Sequence, residues 1–345
     1  MIQKIKIDEF LALATQYPVL DVRSPGEFVH AHIPGAHSLP LFTDKERKVV
    51  GTAYKQQSRE EAIKIGLDYF GVKMRRMVED AEQLTKDKPG KTVLVHCWRG
   101  GMRSAGVAWL LDLYGFKVYT LTGGYKAYRN WVIAHFSQPY SFHILGGYTG
   151  SGKTVVLQAL VAQGHPVIDL EGLAQHMGSA FGGLGDAKQP SQEMFENRLG
   201  TALHSLRNST EPIWIEDESR RIGQLNIPDA LWHTLRRAPL YFLDIPFEQR
   251  LNYITGFYGR FKKEPLVQAI MRIQKRLGTL NAKNAVGYLL EDNYTECFRI
   301  LLAYYDKYYH KGIAEQKLPA DMLTIIESDS VNAPANSRKL LHKKD

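Results

Sequence analysis

The stretch His96-Cys-Trp-Arg-Gly-Gly-Met-Arg-Ser104 carries a cysteine between a predicted strand and a predicted helix. A loop at that position directs backbone N–H groups and a helix N-terminus toward one point, where an anion can bind. Two arginines add positive charge, so we interpret Cys97 as a nucleophile with a lowered pKa. The alternative is a structural cysteine buried at a strand end. The predicted anion loop consists of Trp98, Arg99, Gly100, Gly101, Met102 and Arg103.

A second phosphate-binding pattern lies further along the chain. It fits G-x4-G-K-[ST], a loop whose backbone amides bind a diphosphate or triphosphate. Lys153 would neutralise phosphate oxygens, and Thr154 could reach a magnesium ion. The pattern predicts polyphosphate binding, whereas the use of a metal ion and the hydrolysis of a nucleotide stay open. Its residues are Gly147, Tyr148, Thr149, Gly150, Ser151, Gly152, Lys153 and Thr154.

Acidic residues follow two predicted strands of the same half. Asp169 ends the strand after the phosphate loop, and Glu216-Asp217-Glu218 ends the next one. Carboxylates at these places either bind a metal ion or take part in catalysis, or they are solvated strand ends. We predict them as second-site acids with both interpretations open.

The elements that must position the cysteine loop alternate along the first 135 residues. Strands are predicted at Val19 to Val22, Thr92 to His96 and Lys117 to Leu121. Helices are predicted after the capping sequence Ser58-Arg-Glu-Glu61 and from Ser104 to Tyr114. Strands that alternate with helices indicate a parallel α/β sheet.

The second half repeats this alternation and then becomes helical from about Pro265. Its predicted strands are Tyr140–Leu145, Pro166–Leu170, Pro212–Ile215 and Leu240–Ile245. Ser137-Gln-Pro139 is the predicted linker. We therefore expect one domain at residues 1–136, a second at 140–327 with a helical extension, and a loose polar tail at 328–345.

Basic side chains alternate with aromatic ones near the start of the helical part. Such a surface can bind an RNA backbone and stack a displaced base, or it can be a solvated face over an aromatic core. A later group, Tyr304, Tyr305, Tyr308 and Tyr309, is interpreted as helix packing. The candidate tRNA contacts are Arg260, Lys262, Lys263, Arg272, Lys275 and Arg276.

The composition narrows the class of protein. The formal charge of +8 favours an anionic partner such as tRNA or a phosphorylated metabolite. No apolar run approaches the roughly 20 residues of a membrane helix, and the N-terminus lacks the pattern of a signal peptide. Cys97 and Cys297 match no metal-ligand spacing. We expect a cytoplasmic protein without a membrane partner, and Cys297 as a packed core thiol.

Three stretches resemble the signatures of the rhodanese family: Leu20-Asp-Val-Arg-Ser-Pro-Gly-Glu-Phe28, His32-Ile-Pro-Gly-Ala36 and Leu121-Thr-Gly-Gly-Tyr-Lys-Ala127. The resemblance implies a cysteine that carries transferable sulfur or selenium. However, five residues separate Cys97 from Arg103, one more than in the usual sulfurtransferase loop. The longer spacing is similar to that of cysteine phosphatases, and it favours a tetrahedral, phosphate-like donor.

The two halves together, with Ile215-Glu-Asp-Glu-Ser-Arg-Arg-Ile-Gly223, resemble the bacterial tRNA 2-selenouridine synthase family over nearly the whole chain. The resemblance implies a rhodanese-like parallel-sheet domain and a P-loop NTPase-like α/β domain. It also implies replacement of sulfur by selenium in wobble 2-thiouridine, with selenophosphate and geranyl diphosphate as substrates and the tRNA anticodon stem-loop as partner. No tightly bound cofactor is expected. A sulfurtransferase, a cysteine phosphatase and a non-catalytic RNA-binding module remain alternatives.

Overall fold

The α/β fold class is confirmed in a computed structural model. It describes residues 1–88, 90–177, 181, 188–316 and 319–342. The chain divides into two compact units, each with its own sheet. The first comprises Met1–His135 with Glu196–Thr201, and the second comprises Phe136–Phe195 with Ala202–Asp345.

The first unit is built on a five-stranded parallel sheet of order β1-β5-β4-β2-β3. The central strand β4 is buried along its whole length, as expected for a parallel strand with helices on both faces. The predicted strands are confirmed, whereas the sequence did not reveal the edge strands β1 and β3. The strands are β1 (Ile2–Ile5), β2 (Val19–Asp21), β3 (His37–Ser38), β4 (Thr92–His96) and β5 (Lys117–Leu121).

Seven helices accompany this sheet in the described part of the first unit. The predicted cap at Ser58 is present, because its Oγ accepts a hydrogen bond from the Glu61 amide at 3.0 Å. The helix predicted from Ser104 begins two residues earlier, at Met102. The helices are α1 (Ile7–Ala14), α2 (Pro25–His30), α3 (Asp44–Gln56), α4 (Arg59–Gly71), α5 (Met74–Thr85), α6 (Met102–Leu113) and α7 (Gly124–His135).

The second unit has a five-stranded parallel sheet of order β12-β11-β6-β8-β7 and a short antiparallel pair, β9 and β10. The carboxyl ends of β6 and β8 are adjacent, so the residues that follow them meet at one sheet edge. The strands are β6 (Phe142–Gly147), β7 (Val167–Ile168), β8 (Ile213–Glu216), β9 (Arg221–Ile222), β10 (Leu225–Asn226), β11 (Leu240–Asp244) and β12 (Leu323–Glu327).

The remaining helices begin with α8 (Lys153–Ala162), α9 (Leu170–Ala174), α10 (Gln192–Ser205) and α11 (Asp229–Leu235). The helical part predicted from Pro265 begins earlier and consists of α12 (Phe247–Tyr258), α13 (Lys263–Leu277), α14 (Thr279–Leu290) and α15 (Tyr294–Gln316). These four share an apolar core that includes Cys297, as expected for a packed thiol. Burial raises the pKa of Cys297 to about 12, so it stays protonated and unreactive.

The C-terminal segment corrects an expectation. We predicted a loose polar tail from Ser328, yet residues Ala333–His342 form helix α16 after a 3-10 turn at Ala320–Met322 and strand β12. Leu340 is fully buried in the same core cluster as Leu157 and Leu160 of α8. The sequence analysis overlooked the apolar residues that are spaced along this otherwise polar stretch. Residues 343–345 lie outside the described part.

Candidate active sites

The cysteine loop connects β4 to α6 and is held by the turn that precedes α7. The amide of Tyr125 donates to the Cys97 carbonyl at 2.8 Å, and that of Lys126 donates to the Trp98 carbonyl at 3.0 Å. Gly124 has φ +59°, and a Cβ there would lie 2.4 Å from the Cys97 carbonyl oxygen. Only glycine fits so close an approach, which explains the paired glycines of the closing signature stretch.

The Cys97 thiol is buried and lies over the start of α6. Its Sγ is 3.3 Å from the Ser104 hydroxyl, whose single proton can be donated either to Sγ or to the Gly101 carbonyl oxygen 3.0 Å away. Burial alone would raise the pKa of Cys97. Hydrogen bonds from Ser104 and the loop amides, with the charge of Arg103, outweigh burial and lower it. These contacts favour the thiolate form, and the role of Cys97 as the nucleophile stays a prediction.

The two loop arginines differ in their surroundings. Arg103 donates to the Glu27 carboxylate at 2.9 Å, whereas Arg99 is exposed. Although burial would raise the pKa of Glu27, its hydrogen bond from Arg103 lowers that pKa to about 2. Glu27 therefore stays ionised and fixes Arg103 beside the thiol. Trp98 and Met102, also predicted for this loop, are 37% and 51% exposed at its surface.

A buried ion pair supports the loop from beneath, and the sequence did not reveal it. Arg23 donates two hydrogen bonds to the Asp21 carboxylate, and its guanidinium lies 3.7 Å from the Tyr125 ring centroid. The Tyr125 hydroxyl accepts a hydrogen bond from Asn197 at 2.8 Å. Asn197 also donates to the His32 carbonyl, so a residue from α10 completes the support of the first unit.

The phosphate loop connects β6 to α8, as predicted. Gly150 and Gly152 have φ +81° and +75°, a region that favours glycine. Lys153 Nζ donates to the Gly147 carbonyl at 2.9 Å, inside the loop where phosphate oxygens would lie. The Ser151 hydroxyl is fully buried without a partner among the described atoms. The Ser151 hydroxyl and the Lys153 ammonium are therefore both placed to donate hydrogen bonds to a bound phosphate.

Three glutamates surround the start of α8. The Thr154 hydroxyl donates to Glu171 at 3.2 Å, and the Glu171 amide donates to Glu216 at 2.7 Å. Burial raises the pKa of Glu171 and, together with repulsion from Asp169, that of Glu216; burial and the Glu171 charge raise the pKa of Glu218 to about 8. Glu171 and Glu218 interact closely, so this pair retains a proton near neutral pH. Sequence reasoning named Glu216 and Glu218 but did not single out Glu171.

The other two predicted acids have structural partners. Asp169 accepts a hydrogen bond from the Gly172 amide at 2.7 Å and caps α9. Asp217 pairs with Arg236 at 2.6 Å and accepts a hydrogen bond from the Tyr309 hydroxyl at 2.7 Å. The same hydroxyl accepts a long hydrogen bond, 3.4 Å, from the Gly147 amide. Tyr309, which we expected only to pack, therefore contacts the phosphate loop.

The described residues contain no group of three or more His, Cys, Asp or Glu that could hold a metal ion. Thr154, where the sequence allows magnesium, instead donates to Glu171. A role for magnesium at this loop stays a prediction. Among these same residues, no helix combines the length and the apolar composition that crossing a membrane requires.

The candidate tRNA contacts lie around α13. Most of them are exposed, namely Arg260, Lys262, Arg272, Lys275 and Arg276, and Lys263 is partly buried. Lys263 forms an ion pair with Asp292 at 2.7 Å. Its charge is thus largely neutralised within the protein, which leaves the other five as the available cations of this group.

Comparisons with known proteins agree with this architecture. Residues 140–333 match the family model described as tRNA 2-selenouridine synthase AAA domain, and residues 6–130 match the rhodanese-like domain. A tRNA 2-selenouridine synthase of Nitrosomonas europaea is 36% identical, over 95% of this chain and 84% of that protein. Those of Marinobacter nauticus and Sulfurovum sp. are 34% and 32% identical, each over 90% of this chain and at least 91% of the relative.

The fold and the two loops thus define a rhodanese-like unit joined to a P-loop unit in one chain. The chain belongs to the tRNA 2-selenouridine synthase family.

Proposed function

We propose that this protein replaces the sulfur of wobble 2-thiouridine in tRNA by selenium, through an S-geranylated intermediate. The observation that carries the proposal is the presence of two separate anion-binding loops, one with an activated thiol and one with a lysine. Its relatives carry the name tRNA 2-selenouridine synthase. Selenophosphate is assigned to the cysteine loop and geranyl diphosphate to the phosphate loop.

The first step of the proposal takes place at the phosphate loop. The sulfur of 2-thiouridine attacks C1 of the geranyl group, the C1–O bond breaks, and diphosphate leaves while the base loses its N3 proton. Lys153 and the loop amides stabilise the charge on the departing diphosphate. Alkylation then converts a poor sulfur leaving group into a thiol.

An apolar cavity beside the phosphate loop supports the prenyl donor. Thr149 of the loop lies at its edge, and the other lining residues are Phe181, Ile254, Tyr258, Phe298, Leu301, Leu302 and Tyr305. At about 20 Å³ the cavity admits roughly one water. A ten-carbon chain must therefore displace lining side chains to enter. An aromatic-lined cavity at a diphosphate-binding loop matches an amphiphilic donor with an anionic head and a hydrocarbon tail.

The second step takes place at Cys97. If the thiolate attacks selenium, a perselenide forms and phosphite leaves. If it attacks phosphorus, a cysteinyl phosphate forms, selenide leaves, and water later releases phosphate. On the phosphorus route the released selenide adds to C2 of the alkylated base and geranyl thiol departs. On the perselenide route the outer selenium adds to C2, geranyl thiol departs, and an external thiol then reduces the S–Se bond to Cys97 and frees the selenouridine. The five-residue spacing to Arg103 suits a tetrahedral phosphate and favours attack on phosphorus. Analysis of the phosphorus product distinguishes the two routes.

The test is mass spectrometry of nucleosides from thiolated tRNA incubated with the protein and both donors, and with each donor omitted in turn. We expect selenouridine only when selenophosphate is present, and a geranylated nucleoside that accumulates without it. Unchanged 2-thiouridine in every reaction would refute the proposal and direct attention to sulfurtransferase and phosphatase assays.

A further inference from the structure

A cleft lies between three consecutive helices, α13, α14 and α15. Its volume is about 600 Å³, within the range of pockets that bind small molecules or single nucleotides. Its wall combines cations, aromatic rings and an amide, and its floor is formed by Leu277 and Ile300. The polar lining includes Arg276, Asn281, Arg299, Tyr304, Lys307 and Tyr308.

The charge of the cleft is positive. Arg276 and Lys307 form no ion pair among the described side chains, whereas Arg299 pairs with Glu248 and Glu296. No carboxylate belongs to the lining. Two cations are therefore left to attract an anion, and their long side chains can follow a phosphate.

Two tyrosines form an aromatic wall beside these cations. The rings of Tyr304 and Tyr308 have centroids 4.8 Å apart, and Tyr308 is 47% exposed. Tyr304 is partly buried, and its hydroxyl lies near Arg276 and Tyr308. Helix packing explains Tyr304, but it does not explain an exposed ring beside a lysine. An exposed ring offers a face on which a nucleobase can stack.

The cleft shares a helix with the phosphate loop. Tyr308 lines the cleft, and the next residue of α15, Tyr309, accepts a hydrogen bond from the Gly147 amide of that loop. A ligand in the cleft would thus lie against the helix whose adjacent face touches the candidate diphosphate site. A nucleic acid whose base is modified at the phosphate loop would suit this arrangement.

We propose that this cleft binds an unpaired RNA nucleotide, with its base stacked on Tyr308 and its phosphate held by Lys307 and Arg276. The inference rests on the proposed function, because it takes the RNA to be the tRNA substrate. It adds Lys307, Tyr308 and Asn281 to the predicted contacts. Asn281 donates its amide to the Leu277 carbonyl, which leaves its side-chain oxygen to accept a hydrogen bond from a base.

The test measures binding of a tRNA transcript to the full-length protein by fluorescence anisotropy over a series of salt concentrations. Lys307→Gln should weaken binding about fivefold and reduce the slope of log affinity against log salt by about 1. Tyr308→Ala should weaken binding about 5- to 30-fold at an unchanged slope, and Tyr308→Phe should retain it. Lys283→Gln removes the same charge from an exposed position of α14 outside the cleft, and should change binding less than twofold.

Several outcomes would overturn the assignment. If Lys307→Gln and Lys283→Gln weaken tRNA binding equally, Lys307 contributes only general surface charge and the cleft is not a specific site. Wild-type affinity in Tyr308→Ala would exclude stacking, and weaker binding of geranyl diphosphate alone in that variant would assign the cleft to the donor. If the wild type makes selenouridine while both cleft variants bind tRNA normally, only the cleft assignment is wrong. If the wild type neither binds nor modifies tRNA, the proposed function fails too.

Discussion

The cysteine loop and the phosphate loop both follow a buried parallel strand and both precede a helix, yet their charged residues are arranged in opposite ways. At the cysteine loop, Arg103 is already fixed by an ionised Glu27, and the thiol already has hydrogen-bond donors. At the phosphate loop, Lys153 donates to the carbonyl of Gly147 in its own loop, and Thr154 donates to Glu171. The first loop is preorganised, whereas the second must exchange partners when an anion binds.

The acids beside each loop explain this difference. Glu27 has a pKa lowered to about 2 because its partner is a cation, so it positions charge without titrating near neutrality. Glu171 and Glu218 face each other, and Glu218 has a pKa raised to about 8. The phosphate loop therefore carries a proton that the cysteine loop lacks. A cation–carboxylate pair gives rigidity, whereas a carboxyl pair gives a site whose charge can change.

Removing the reactive group of each loop in turn should have the largest effect and tests whether the two loops have separate roles. Cys97→Ser should lower selenium incorporation at least about 1,000-fold and leave geranylation intact, because hydroxyl is a far weaker nucleophile near neutral pH. Lys153→Ala should reduce geranylation about 100-fold and, because the geranylated base is the intermediate, lower selenium incorporation from 2-thiouridine with it, while tRNA that is already geranylated should still be converted. Nucleoside mass spectrometry measures both. Cys297→Ala is the matched control and should affect neither, whereas loss of geranylation in Cys97→Ser, or failure of Lys153→Ala to convert tRNA that is already geranylated, would contradict separate roles.

Backbone geometry offers a second test, confined to the cysteine loop. Gly100 has φ +66°, and a Cβ there would lie 2.6 Å from the Leu121 carbonyl oxygen, whereas nothing lies within 4 Å of one at Gly101. Gly100→Ala should therefore lower the free energy of unfolding by about 2–3 kcal/mol and abolish selenium transfer. Gly101→Ala should cost less than about 1 kcal/mol in urea unfolding. Equal costs would mean that the loop tolerates a rearranged backbone.

The proton at the phosphate loop predicts a pH effect on stability. Glu218 has its pKa raised from 4.5 to about 8, so between these values the folded state binds more protons than the unfolded state. Stability should therefore fall as pH rises through this window. Glu218→Gln should flatten that fall and be more stable than wild type by on the order of 2 kcal/mol at pH 8.5. Thermal unfolding of both proteins from pH 5 to 9 measures this difference. If the stability of the wild type and that of Glu218→Gln change with pH in parallel, the prediction is wrong.

The smallest expected effect concerns the thiol. Ser104→Ala removes a hydrogen bond to Sγ, so the pKa of Cys97 should rise and less thiolate should be present at pH 7. The rate of iodoacetamide alkylation against pH reports this value, and Cys97→Ser provides the background from Cys297. An unchanged profile would assign the lowered pKa to the loop amides and Arg103 alone.

Local patterns were sufficient to predict the α/β class, the central strands of both sheets and both loops. Each of these depends on residues that are neighbours in the chain, such as the glycines and Lys153 of one continuous turn. What the sequence did not indicate comes from distant residues. Glu27 reaches Arg103 across 76 positions, and Tyr309 reaches Gly147 across 162. A single glutamate or tyrosine carries no local sign of such a contact.

The acids show the same limit within one cluster. Glu216 ends a predicted strand and was therefore named. Glu171 lies in the first turn of α9, and its proximity to Glu216 follows only from the arrangement of the strands in the sheet. For the basic residues near α13, the sequence predicted more free positive charge than the structure leaves. The sequence pattern predicts surface cations, but Asp292, which follows the next helix, pairs with Lys263 and cancels its charge.

The position of α16 has a consequence for how the protein is made. Strand β12 occupies an edge of the second sheet, Leu340 completes the core under α8, and Val331 contacts the phosphate loop at Gly152. A nascent chain releases its N-terminal unit first. The phosphate-binding unit cannot close its core until α16 has left the ribosome. A ribosome that stalls late in translation would thus yield a chain with an exposed apolar face, a target for chaperones and proteases.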